Sequence, residues 1–135
     1  MKINLRAKNW HYFIFSSILI VVLAIFLRVY DLLSIPIFVD EAIYIRWAQI
    51  MRAETTLRFL PLSDGKQPLF MWAMIPFLKV FNDPLVAGRL VSVCSGIASL
   101  VGIYFLTYEL FKKKKAALSA SFFYSISPFT IFFDR

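Results

Sequence analysis

NWHYFIFSSILIVVLAIFL, residues 9–27, contains no Asp, Glu, Lys or Arg and is rich in Ile, Val, Leu and Phe. A helix that crosses the hydrocarbon core of a bilayer needs ~20 mostly apolar residues, and this run supplies them. Two further stretches, Leu90–Tyr108 and Ala116–Phe133, are equally free of charge. The composition agrees: 60% of the 135 residues are hydrophobic and 18% aromatic. A soluble domain of this length cannot bury that much apolar surface. The sequence therefore predicts an all-α membrane protein with three transmembrane helices, at about 10–30, 88–110 and 116–133. An outer loop over 31–87 carries amphipathic interfacial helices.

The formal charge of +7 does not indicate nucleic acid. The excess positives form two short clusters beside apolar runs, as expected of cytoplasmic flanks of membrane helices. Lys2, Arg6 and Lys8 precede the first span, and Lys112 to Lys115 follow the second. Two flanks on one side need an even number of crossings between them, and the first two spans supply two. The shorter run from Gln67 to Leu78, with Pro68 and Pro76, is then an interfacial or re-entrant helix. The stretch from Asp31 to Arg89 is charge-balanced, with six acids and six bases, as an exported loop tends to be. The protein is thus expected in the cell membrane, multi-pass, with a cytoplasmic N-terminus. Asp134 and Arg135 emerge on the same outer face as Asp40. The first apolar run exceeds the ~7–15 residues of a signal peptide and lacks a small-x-small cleavage site, so it reads as a retained helix. Cys94, the single cysteine, reads as a small core residue. His11 reads as an interface residue, and no Ser/His/Asp set or nucleotide-phosphate loop is present. Gly88, Ser92 and Gly96 form a small-residue stripe suited to helix packing.

Within the outer loop, FVDEAIYIRW (38–47) places two carboxylates side by side. A helix is expected from about Asp40 to Glu54, with Asp40 as N-cap. At about 100° per residue, Ile43, Trp47, Ile50 and Met51 share a face with Asp40 and Tyr44, while Arg46, Gln49 and Arg52 lie away from it. Glu41 leans toward Ala48 and Arg52. Two readings of Asp40 stand together. It caps the helix, with Glu41 favouring the positive end of the helix dipole; or it is a carboxylate in a low-dielectric groove whose basicity rises, as a general base requires. Ser63-Asp64-Gly65 is a turn signal. Lys66, just beyond it, either holds a lipid phosphate or snorkels. Arg89 anchors to headgroups or binds a substrate phosphate. SISPF (125–129) gives the third span a Pro-bent aromatic end.

The ordered set resembles the N-terminal part of the polyprenyl-phosphate-sugar-dependent membrane glycosyltransferases of the glycosyltransferase C superfamily. These are the dolichyl-phosphate-mannose protein mannosyltransferases and the bacterial aminoarabinose transferases. The set consists of Asp40-Glu41 with Tyr44, Lys66-Gln67-Pro68 leading to Trp72, Gly88-Arg89, the basic turn after Glu109-Leu110, and SPFTIFFDR (127–135). Each motif alone is weak, but the order and spacing match along nearly the whole chain. The resemblance implies that Asp40 is the catalytic base, with Glu41 orienting the acceptor or neighbouring groups. It implies that Lys66, with Arg89, Arg135 and Tyr44, binds the lipid-linked phosphate. The partners it implies are a polyprenyl-phosphate-linked sugar, an acceptor that is protein, lipid or glycan, and membrane lipids. No cofactor is implied, and metal dependence differs between branches of the superfamily. Members of this family have many more spans, so residues 1–135 are expected to be an N-terminal fragment without activity of its own. The alternative, of a different class, is a small non-enzymatic membrane subunit that recruits a partner through its outer amphipathic helix and small-residue span.

Overall fold

A computed structural model describes residues 4–134, with side chains from Trp10 onward. The described residues form six α-helices: α1 (Asn4–Val29), α2 (Val39–Ala53), α3 (Leu69–Val80), α4 (Pro84–Phe111), α5 (Lys114–Ile126) and α6 (Pro128–Phe133). Short 3-10 turns lie at Thr55–Leu57 and Leu60–Asp64, and the described residues form no strand. The all-α expectation holds.

Trp10–Val29 within α1 and Pro84–Phe111 are long and apolar enough to cross a membrane, and only 17% and 22% of their most apolar windows are buried. A core helix of a soluble protein would have its apolar residues covered. Here Phe15, Ile18, Phe26, Phe105 and Leu106 stand exposed, and lipid is the solvent that removes that cost. The third apolar stretch is not one helix. It breaks at Ser127, whose backbone is extended (φ −63°, ψ 122°), with Pro128 opening α6. Proline disfavours helical backbone at the residue before it and suits the first helical position. The bend expected from SISPF is thus a full break.

The chain divides into two compact units. One comprises the chain up to Tyr30 with Ser95–Asp134, so it holds α1, the second half of α4, α5 and α6. Its apolar centre is Ile20, Ala24 and Leu100, with Ile97, Leu118 and Tyr124 packed around them. Arg28 is fully buried in this unit. Its Nε donates to Asp134 Oδ2 at 2.9 Å, and Nη1 donates to the carbonyls of Ala24 and Ser125. Nη2 meets Thr130 Oγ1, and the Tyr124 hydroxyl donates to Asp134 Oδ2 at 3.1 Å. A buried charge is tolerable only when it is paired and hydrogen-bonded in this way. Gly96 makes room for the Asp134 carboxylate, which a Cβ there would strike.

The other unit, Asp31–Cys94, packs α2 against α3 and the start of α4. Met71, Met74 and Leu78 recur on one face of α3 and meet Ala48 and Met51 of α2 and Ala87 and Val91 of α4. Gly88 permits the approach: a Cβ there would lie 3.2 Å from Met74 Cε and 3.4 Å from Ile45 Cγ1. The stripe of small residues therefore packs, as expected, at Gly88 and Gly96. Gly102 has open space. Cys94 is exposed, not a core residue; it points off the packed side of a helix whose apolar surface is largely uncovered.

Candidate functional site

The acidic pair opens α2, but the cap is not Asp40. Phe38 holds the N-cap position with extended backbone (φ −83°, ψ 150°), and its N–H donates to Glu41 Oε2 at 3.4 Å. Asp40 and Glu41 both fall in the first turn, where negative charge meets the exposed N–H groups of the helix. The buried face of α2 also differs from the wheel. It centres on Ala48 and Met51 with Tyr44, Ile45 and Trp47 beside them, while Ile43 is exposed. Contact with α3 selects that face. Arg52, facing away, reaches the carbonyl of Leu78 with Nη1 at 2.5 Å.

Glu41 turns toward Arg89, not toward Arg52. The two form a bidentate pair, Nε to Oε1 at 2.8 Å and Nη2 to Oε2 at 3.0 Å. Arg89 also donates from Nη1 to the Leu32 carbonyl at 2.6 Å and from Nη2 to the Ile35 carbonyl at 2.9 Å. Its side chain is 3% exposed. This guanidinium therefore ties the segment before α2, and the first turn of α2, to the start of α4. In this geometry four of its five N–H donors are engaged by protein.

Asp40 lies about 100° round the helix from Glu41 and is exposed, so this unit does not enclose it in a groove. One turn on, Tyr44 packs edge-on against Phe70 and lies under Lys66, whose Nζ is 5.8 Å from the ring centroid. The Lys66 ammonium is held above its usual range, first by its hydrogen bond with Tyr44 and that group's charge, then by Asp40 and Asp64. The turn that presents Lys66 is Leu60–Asp64, closed by Gly65 in the left-handed region (φ 69°) and by a bond from Lys66 N–H to the Pro61 carbonyl at 3.0 Å. Trp72 is fixed nearby in sequence by its Nε1, which donates to the Arg58 carbonyl at 2.8 Å.

The structure thus brings together Asp40, Tyr44 and Lys66, and places Glu41 and Arg89 in a separate buried pair. Arg135 lies outside the described residues. A cavity of the same unit is lined by Arg52, Arg58, Lys79, Phe59 and Trp72, a basic and aromatic surface that the sequence does not single out. The other unrecognised feature is the Arg28–Asp134 pair. Its signal was available, as a charge at the end of each of two apolar runs. Among the described residues no group of three or more His, Cys, Asp and Glu is placed to hold a metal ion.

The chain shows no match to a curated protein or to a solved structure. The profile of the dolichyl-phosphate-mannose-protein mannosyltransferase family matches residues 65–134, more than half of the 135. The match begins at Gly65, takes in Lys66, Trp72 and Arg89, and runs through the helix break to Asp134; Asp40, Glu41 and Tyr44 precede it. With its helices suited to a membrane, the chain belongs to the dolichyl-phosphate-mannose-protein mannosyltransferase family and is membrane glycosyltransferase-like.

Proposed function

We propose that this protein takes part in transfer of a sugar from a polyprenyl-phosphate donor to an acceptor hydroxyl, on the outer face of the cell membrane, with its N-terminus cytoplasmic. Asp40 is the base. Its carboxylate takes the acceptor proton as the acceptor oxygen attacks the sugar C1 and the bond from C1 to the phosphate oxygen breaks, with inversion. The electron pair leaves with the polyprenyl phosphate, and the Lys66 ammonium stabilises that charge. Tyr44 holds Lys66 and lines the same face, while Glu41 acts from behind by fixing the start of α2 through Arg89. The activated sugar arrives on its lipid, so no nucleotide is needed. The acceptor is a protein, lipid or glycan hydroxyl.

The observation that carries this reading is the gathering of Asp40, Tyr44 and Lys66 in one unit of a chain from this family. The test uses liposomes containing the protein, labelled polyprenyl-phosphate mannose and hydroxyl acceptors. Donor retention and sugar transfer are measured separately. Lys66→Gln is expected to lower donor retention, and Asp40→Asn to keep retention while slowing transfer by about 10²–10⁴-fold. Transfer at an undiminished rate by Asp40→Asn would remove Asp40 from the chemistry. If residues 1–135 bind donor without turnover, the same pair of variants is read in a longer form of the protein.

A further inference from the structure

The unit holding α1 contains a cleft of about 240 Å³ between α1, α4 and α5. Phe13, Ile20, Leu100, Tyr104, Leu118 and Ser121 line it. It opens sideways past Val101 and Phe105, both exposed. The lining is almost wholly apolar, with one exception of consequence. Ser121 is 2% exposed, and its Oγ has no hydrogen-bond partner. A buried hydroxyl left unpaired in an apolar setting is costly, and native structures rarely leave one so.

One end of the cleft is marked by charge. Lys114 opens α5, and its Nζ sits 5.1 Å from the Phe13 ring centroid and 4.8 Å from that of Trp10. Phe13 is itself a wall of the cleft. Lys112, Lys113 and Lys115 flank Lys114, and Glu109, paired with Lys112, is the one acid at this turn. An apolar slot with a cation and an indole just beyond its Phe13 wall has the polarity of one phospholipid: chain inside, phosphate at the lysine. Basic pockets between membrane helices take anionic headgroups in this way.

We propose that this cleft holds one acyl chain of an anionic glycerophospholipid whose phosphate rests on Lys114. The Ser121 hydroxyl donates to the lipid's ester oxygen. The site does not depend on the sugar-transfer reading, since none of its residues belongs to that chemistry.

The test is native mass spectrometry of the whole chain in detergent, with phosphatidylglycerol and phosphatidylcholine of matched chains in competition. Phosphatidylglycerol is expected to be retained at least tenfold over phosphatidylcholine, and Lys114→Gln to erase that preference. Ser121→Phe, which fills the cleft, is expected to remove retention of both. Leu118→Trp serves the same purpose if Ser121→Phe loses helicity. Brominated phosphatidylglycerol is expected to quench Trp10 in a Trp47→Phe, Trp72→Phe background. Equal retention of the two lipids, or retention unchanged by the filled cleft, would overturn the site. Displacement of phosphatidylglycerol by polyprenyl phosphate with the same Lys114 dependence would also overturn it, by assigning the cleft to the isoprenoid chain.

Discussion

Asp40 and Glu41 are neighbours in sequence and strangers in structure. One helix step of about 100° sends Glu41 into a pair with a 3%-exposed arginine and leaves Asp40 on an open face with Tyr44 and Lys66. The first arrangement is close to saturated: four of the five N–H donors of the Arg89 guanidinium are taken by protein. The second has an exposed carboxylate one helix turn from a phenol that lies under an ammonium, and the two charges act on each other. A charge that is fully partnered holds a fold, and a charge that is incompletely partnered is available to a ligand. The same tetrapeptide neighbourhood supplies both.

The largest effect should come from breaking the saturated side. Arg89→Ala strands Glu41 and leaves the Leu32 and Ile35 carbonyls without donors. Removing one partner of a fully buried pair costs about 3–5 kcal/mol, and somewhat less where, as at Glu41, the stranded group keeps partial access to solvent. The expected outcome is a cooperative loss of protease resistance in the Asp31–Cys94 unit, seen by limited proteolysis in detergent. Survival of that unit with wild-type resistance would show the pair to be incidental.

A smaller effect separates the two acids directly. Glu41→Gln keeps shape and some hydrogen bonding but removes charge from Arg89, and should cost about 1.5–3 kcal/mol. Asp40→Asn should change stability by no more than about 0.5 kcal/mol, as for an exposed residue. Urea unfolding of both variants, followed by tryptophan fluorescence, checks the contrast. Equal losses would mean that the first turn of α2 acts as one electrostatic unit.

Lys66→Gln should leave stability unchanged and weaken retention of polyprenyl phosphate by about tenfold, as loss of one charge contact with a phosphate would. The pH dependence follows from the raised ammonium. A lysine held above its usual range is charged at every pH below that range. The phosphate monoester completes its own second ionisation above about pH 7, so retention should be flat from about pH 8 to 9 and fall only above ~10.4, the ordinary lysine value. A fall in retention between about pH 8 and 9 would point to a different group as the phosphate ligand.

Much of this architecture was legible because it is written in composition and short periods. Uncharged runs marked α1 and α4, and an expected helix from about Asp40 to Glu54 became Val39–Ala53. The proline-containing run after Lys66 became α3, with Pro76 inside it. What could not be read are choices made by partners far away in the chain. Glu41 meets Arg89 across 48 residues and Arg28 meets Asp134 across 106. The wheel of α2 gives an apolar stripe but not its centre, which α3 fixes at Ala48 and Met51. Residue type alone points Cys94 to a core, although in lipid an apolar residue is equally at home on the outside, where it stands. The bend at Ser127 could be foreseen, but not that it would carry Asp134 back to Arg28.

The finest test of the comparison lies at Gly65, which belongs to the open side alone. Its φ of 69° is a conformation that a Cβ makes costly, yet a Cβ there would meet nothing within 4 Å. Gly65→Ala therefore carries a backbone penalty of roughly 1–2 kcal/mol with no packing term. That penalty falls on the turn that closes through Gly65 N–H to Leu62 and Lys66 N–H to Pro61. The paired side, built on Glu41 and Arg89, should not register it. The expected outcome is weaker polyprenyl-phosphate retention, partly recovered by Gly65→Asn, which tolerates the left-handed region better. Protease resistance of α2 and α4 should be unchanged. If Gly65→Ala instead loosened the Glu41–Arg89 tie, seen as faster hydrogen exchange at the start of α2, the two faces would be one coupled device and the division drawn between them would fail.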